Sequence, residues 1–125
     1  SEHAFCYLLH RLEQEFAVAP ADMKQAFDFI ASLCPALQQL GVFNLLLSDG
    51  DYLLAYCSTK LHWITRRAPF GVALLSDMDV DIDFSKETTE KDVVTIIATL
   101  PLTCNEQWQV MESLQTQLFK AGEPQ

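Results

Sequence analysis

No apolar run in this sequence approaches the roughly 20 residues that a helix needs to cross a bilayer. No basic stretch followed by an apolar core opens it either, so neither a membrane span nor a secretory leader is read. Basic side chains are scarce: eight Lys and Arg stand against 17 Asp and Glu, a formal net charge of −9. A surface of that sign repels phosphate backbones and anionic lipid, so no nucleic-acid and no membrane partner is expected. There is no C-x-x-C pair. Cys6, Cys34, Cys57 and Cys104 lie far apart, which fits free thiols in a reducing cytosol and predicts a cytoplasmic location. A Gly-rich phosphate loop, a G-x-S-x-G elbow and an H-E-x-x-H pair are missing too, and no cofactor is expected. The first residue is Ser1 rather than Met, so the chain is expected to be trimmed, processed or part of something longer.

What is present is globular. Half of the 125 residues are hydrophobic, enough for one domain over 1–125 that buries roughly two thirds of its unfolded surface. Phe5, Leu8, Leu9, Leu12 and Phe16 recur at helical spacing and predict a helix from Ser1 to about Phe16. A second helix is predicted over about Ala21–Leu40, opened by Pro20 and stopped by Gly41. Its buried face is Ala26, Phe27, Ile30, Leu33, Cys34 and Leu37, and Pro35 predicts a kink or break near Cys34. Val42–Ser48 and Tyr52–Ser58 read as strands joined by a turn around Asp49-Gly50. Both faces of this hairpin are apolar, so it is expected to be covered on both sides. Further strands are predicted at His62–Arg66, Val80–Phe84, Val93–Thr99 and about Thr116–Lys120, with a turn at Pro69–Gly71. Two N-terminal helices followed by a run of strands predict an α+β fold with a mainly antiparallel set of strands.

Few constellations suggest chemistry. Asp77, Asp79, Asp81 and Asp83 alternate with Met78, Val80 and Ile82. The EF-hand pattern fails at Ile82 and Thr88, so these acids read as the solvent face of a strand. His3, Cys6 and His10 share one face of the first helix at ligand-like spacing. That face lies opposite the apolar stripe, and an ordinary polar face is the expectation, with no metal. Lys60, His62, Arg66 and Arg67 form a basic cluster that could take a ligand's carboxylate or phosphate, but pairing with the acidic strand is favoured. Cys57 lies inside an apolar strand and Cys104 has no His nearby in sequence, so neither is read as a nucleophile.

Three segments carry a resemblance. They are Phe43-Asn44 with Leu47-Ser48-Asp49-Gly50, the run from Tyr56-Cys57-Ser58 to Arg66-Arg67-Ala68-Pro69-Phe70-Gly71, and Pro101-Leu102-Thr103 with Asn105-Glu106 and Trp108. Together, from Ser1 to about Glu123, the chain resembles the C-terminal half of a class II glutamine amidotransferase. The likeness is to the small single-domain bacterial type related to the gamma-glutamyl hydrolase of ergothioneine synthesis. The resemblance implies part of an N-terminal-nucleophile hydrolase, an α/β/β/α sandwich. It further implies an N-terminal Cys that attacks a glutamine side-chain amide, an Asn and a Gly as oxyanion donors, and an Arg and an Asp that hold the substrate. None of these maps onto the chain. Of the family's Thr-Asp-Ser-Glu motif only Ser1 and Glu2 match, and Ser1 corresponds to a helix start rather than a nucleophile. The tail departs from the family's Pro-Gly-Glu-like turn, with Met111-Glu112-Ser113-Leu114-Gln115 in its place.

The expectation is therefore a scaffold half, inactive alone, with no catalytic, cofactor or metal residue of its own. The complete protein would act on glutamine or a gamma-glutamyl compound. The half would associate with the missing N-terminal part, or with itself, through exposed apolar faces. The alternative is a small acidic α+β interaction module without catalysis.

Overall fold

The structure is a computed structural model that describes residues 2–77, 81–83 and 89–125, the side chains of 81 and 82 excepted. The expected Val80–Phe84 strand lies partly outside that range, as do Ser1 and Asp79.

Two helices come first, α1 (Glu2–Glu15) and α2 (Met23–Gln38). Asp22, not Pro20, opens α2. It has extended backbone and its Oδ1 accepts from Lys24 N at 3.0 Å, which satisfies one of the helix's orphan donors. The expected break does not occur, for α2 continues through Pro35 to Gln38. Pro35 is exposed, while Ile30 and Cys34 before it and Leu37 after it are anchored in the core, so packing on both sides holds the helix together. Nor does Gly41 stop it in a left-handed conformation. Leu40 N and Gly41 N bond back three residues, to the carbonyls of Leu37 and Gln38.

Among the described residues nine strands follow. They are β1 (Leu45–Ser48), β2 (Tyr52–Tyr56), β3 (Leu61–Arg67), β4 (Val72–Leu74), β5 (Asp81–Asp83), β6 (Val93–Ala98), β7 (Gln109–Met111), β8 (Thr116–Lys120) and β9 (Glu123–Pro124). They form a four-stranded sheet in the order β1-β2-β8-β9, a three-stranded sheet β6-β3-β7 and the ribbon β4-β5, with every pairing antiparallel. The Asp49-Gly50 turn is as expected. Asp49 Oδ1 accepts from Asp51 N and Tyr52 N, and Gly50 takes a φ of 104° that suits glycine.

The two apolar faces of the β1–β2 hairpin have two different covers. Leu54 and Tyr56 of β2, with Leu118 of β8, pack under Leu8 of α1 and Phe27, Ile30 and Cys34 of α2. On the other face Ala55, Cys57 and Phe119 meet Leu61 and Met111, with Trp63 and Ile97 at the margin. Trp63 stands edge-on to Phe119 at 5.3 Å between ring centroids. The described residues thus stack as helices, sheet and second sheet.

Candidate functional site

The segments that carried the resemblance are the places where loops are fastened to this framework. At one end of the hairpin, Asn44 Oδ1 accepts from Ser58 N at 3.0 Å and from Thr59 N at 3.3 Å. Ser58 Oγ in turn accepts from Phe43 N at 3.2 Å. This exchange takes up the backbone where β1 was expected to begin, which is why the strand starts only at Leu45. The Ser58 carbonyl accepts from Ser113 Oγ, which also accepts from Gln38 Nε2 at 3.0 Å. The Tyr56 hydroxyl donates to Gln38 Oε1. Burial pushes that phenol's pKa up. Helix α2, the hairpin and the β7–β8 connection are therefore tied at one point by Asn44, Ser58, Ser113 and Gln38.

A second fastening surrounds Glu106. Arg66 of β3 donates from Nε to Glu106 Oε1 at 2.8 Å and from Nη2 to Oε2, a bidentate pair whose side chains are only 11% and 20% exposed. Thr103 Oγ1 donates to Glu106 Oε2 at 2.6 Å and accepts from Trp108 Nε1 at 2.9 Å. The Arg66 guanidinium and the Thr103 hydroxyl hold the Glu106 carboxyl below its ordinary range, against the opposing effect of burial. Asn105 behaves like a piece of strand. Its Oδ1 accepts from Leu74 N at 2.8 Å and its Nδ2 donates to the Val72 carbonyl at 2.9 Å. Thr103, Asn105, Glu106 and Trp108 thus pin the loop before β7 to β3 and β4.

The chemistry candidates disperse. Asp77 and Asp83 are exposed, the Asp81 side chain is not described, and Asp79 lies outside the described residues. His3, Cys6 and His10 are all exposed on α1. Among the described residues, no group of three or more His, Cys, Asp or Glu is placed to hold a metal ion. The basic cluster divides. Lys60 is exposed, whereas His62 is buried and its Nδ1 donates to the Thr99 carbonyl at 3.1 Å. Arg66 and Arg67 take the carboxylates of Glu106 and Glu123. Those partners lie 40 and 56 residues away, beyond the reach of any local pattern.

All four cysteines are free. Cys57 is fully buried, donates to the Met111 carbonyl at 3.2 Å, and has its thiol pKa pushed up by burial. Cys34, equally buried, is pushed up to about 11 by the same cause. Both are packing residues held as thiols. Cys104 is exposed and turns its sulfur toward the Leu74 carbonyl at 3.7 Å.

An apolar trough runs along the helix side of β1, the outer strand of its sheet. A groove of about 700 Å³ is bounded by His3 and Tyr7 of α1, Leu37 and Leu40 near the end of α2, and Val42 and Leu45. A smaller one of about 150 Å³ continues it past Phe5, Leu9 and Leu47. Leu40 and Val42 are 86% and 76% exposed. Phe5 and Leu9 of the apolar stripe on α1 stand 43% and 39% exposed on this trough; only Leu8 of that stripe is fully covered.

Comparison with known proteins places this geometry. The chain is 61% identical over 123 residues to the Escherichia coli protein named "Putative glutamine amidotransferase YafJ", covering 98% of this chain and 48% of that one. It is 45% identical to a Haemophilus influenzae protein named "Putative glutamine amidotransferase", covering 98% and 42%. A crystal structure described as a "predicted glutamine amidotransferase" from Pseudomonas aeruginosa superposes with a TM-score of 0.85 at 48% identity, over 99% of this chain and 49% of that one. The chain spans less than half the length of each of these proteins. The family model for glutamine amidotransferases class-II matches residues 1–125 throughout, and the chain belongs to that family.

Proposed function

We propose that this chain is the scaffold half of a glutamine amidotransferase or gamma-glutamyl amide hydrolase, working in the cytoplasm on glutamine or a gamma-glutamyl compound. One observation carries the reading: a match along nearly the whole chain to proteins of which it spans less than half. The rest of the polypeptide supplies the nucleophilic Cys, the oxyanion donors and the residues that hold the substrate. Together the two parts make the α/β/β/α sandwich of N-terminal-nucleophile hydrolases. The site geometry is consistent with this division of labour. The family-specific residues Asn44, Ser58, Thr103, Asn105, Glu106 and Trp108 satisfy backbone groups and one another. The thiols of Cys34 and Cys57 are buried and hard to ionise.

The test is ammonia release from L-glutamine and from gamma-glutamyl amides, measured on the purified chain and on the full-length polypeptide. Turnover is expected from the full-length protein and none from the chain alone. Turnover by the chain that survives substitution of Ser1, Cys57 and Cys104 overturns the reading, and so does a full-length protein inert toward every such amide.

A further inference from the structure

The sheet β6-β3-β7 has two unlike faces. Trp63, Ile97 and Met111 turn toward the four-stranded sheet. Side chains alternate along a strand, so His62, Ile64, Val94, Ile96, Ala98 and Val110 turn the other way. Both helices pack on the far side of the four-stranded sheet, so neither covers this face. Val94 and Val110 are accordingly 42% and 48% exposed.

Two polar side chains interrupt the face. Arg66 is tied to Glu106. His62 stands between Ala98 and Val110 in the ladder, and only one of its ring nitrogens is tied. A carbonyl can only accept, so the bond to Thr99 puts the ring proton on Nδ1. In the neutral ring Nε2 is then a bare acceptor. Among the described residues no donor reaches it, and it is not sealed from solvent either. His62 as a whole is only 4% exposed, so the opening at Nε2 is narrow.

We infer that His62 Nε2 accepts a hydrogen bond from a neutral side-chain donor, a hydroxyl or a carboxamide N–H, carried by the remaining part of the same polypeptide. The relatives have about as much chain again outside the matched region, enough to supply that cover. The inference rests on the scaffold-half reading, whose sandwich already calls for a layer over this face. It adds the contact that fixes where that layer sits. Covering the face takes water away from Nε2, and a buried acceptor without a partner is costly and rare. A covering helix cannot answer with its interior backbone, whose N–H groups are taken by its own carbonyls, so the donor is a side chain. Ile64, Ile96, Ala98 and Val110 surround the site with hydrocarbon, and a Lys or Arg charge buried among them costs more than one bond to a neutral ring returns.

A crystal structure of the full-length polypeptide tests this, together with the 15N resonances of its histidine rings recorded at about pH 8, where an ordinary imidazole is neutral. The expected result is a Ser, Thr, Tyr, Asn or Gln donor from outside residues 1–125, about 2.7–3.2 Å from His62 Nε2, with the ring proton on Nδ1. Water, a charged side chain or bare hydrocarbon at Nε2 overturns the inference, and so does a ring proton on Nε2. A covered face with no donor at Nε2 sinks this inference and leaves the scaffold-half reading standing, whereas a face left open in the full-length protein sinks both. The readout involves no turnover, so a full-length protein without amidase activity would count against the functional proposal alone.

Discussion

At the level of single residues, Glu106 ties a loop to the sheet. Its carboxylate receives both arms of Arg66 and the Thr103 hydroxyl, and Thr103 in turn receives the Trp108 indole. Removing one partner of a well-buried pair costs about 3–5 kcal/mol, and partial access of water to Glu106 brings the expected cost of Glu106→Gln to about 2 kcal/mol. The pH dependence has a definite sign. The folded-state pKa lies below the ordinary 4.5, so the stabilisation is fully present above that value and is lost as the pH falls through the folded one. Urea unfolding of the two proteins should differ by that amount near neutral pH and converge in acid below the depressed value. A gap that stays constant across the acid range would show that Glu106 acts through shape rather than charge. The sequence displayed Arg66 in a basic cluster and Glu106 in a family motif, but it could not join them. Forty residues separate the two, and only the sheet brings them together.

At the level of elements, legibility followed local chemistry. The β1–β2 hairpin could be read because Asp49 and Gly50 are the residues such a turn needs, and because two-faced apolar strands demand two covers. Strands β4, β7 and β9 could not, being two or three residues long and held by Asn105, by β3 and by β8 rather than by their own pattern. Of the kink or break expected near Cys34, the break does not occur, because the core contacts on either side of Pro35 carry the helix across it. The β7–β8 connection is the instructive departure. Leu114 sits there at φ 73°, its N–H donating to the Cys57 carbonyl at 2.8 Å. A left-handed backbone costs a residue with a Cβ about 1–2 kcal/mol, and glycine escapes most of that. Since Leu114 is 58% exposed and buries little, Leu114→Gly should stabilise the protein by about 0.5–1 kcal/mol. The β8–β9 turn has the opposite fitness. Gly122 has φ 78°, and a Cβ there would stand 2.5 Å from the Val93 carbonyl oxygen of β6. Gly122→Ala should therefore cost more than about 2 kcal/mol, while Gly71→Ala, with open space around it, should stay within about 0.5 kcal/mol. Thermal or urea unfolding of the three variants checks the order. A neutral Gly122→Ala would mean that the β8–β9 turn does not lie against Val93 of β6 so closely.

For the molecule as a whole, the balance between charge and exposed apolar surface decides behaviour in solution. A net charge of −9 favours a dispersed monomer. Against it, Phe5, Tyr7, Leu9, Leu40 and Val42 leave one side of the helix–sheet layer apolar and open. Contiguous apolar surface of this kind marks an interaction site and seeks a partner. Charge repulsion is screened within about 8 Å at physiological salt, whereas burial of apolar surface is not screened, so salt should tip the balance toward association. The chain alone is therefore expected to bind a hydrophobic dye and to show concentration-dependent self-association by sedimentation velocity, more strongly as ionic strength rises. The double variant Leu40→Asp, Val42→Asp supplies the control. Both side chains are already mostly in water, so the change should leave the unfolding midpoint nearly unmoved while lowering dye binding and association together. A dye-silent monomer at every salt concentration would show that the trough does not act as an exposed apolar surface.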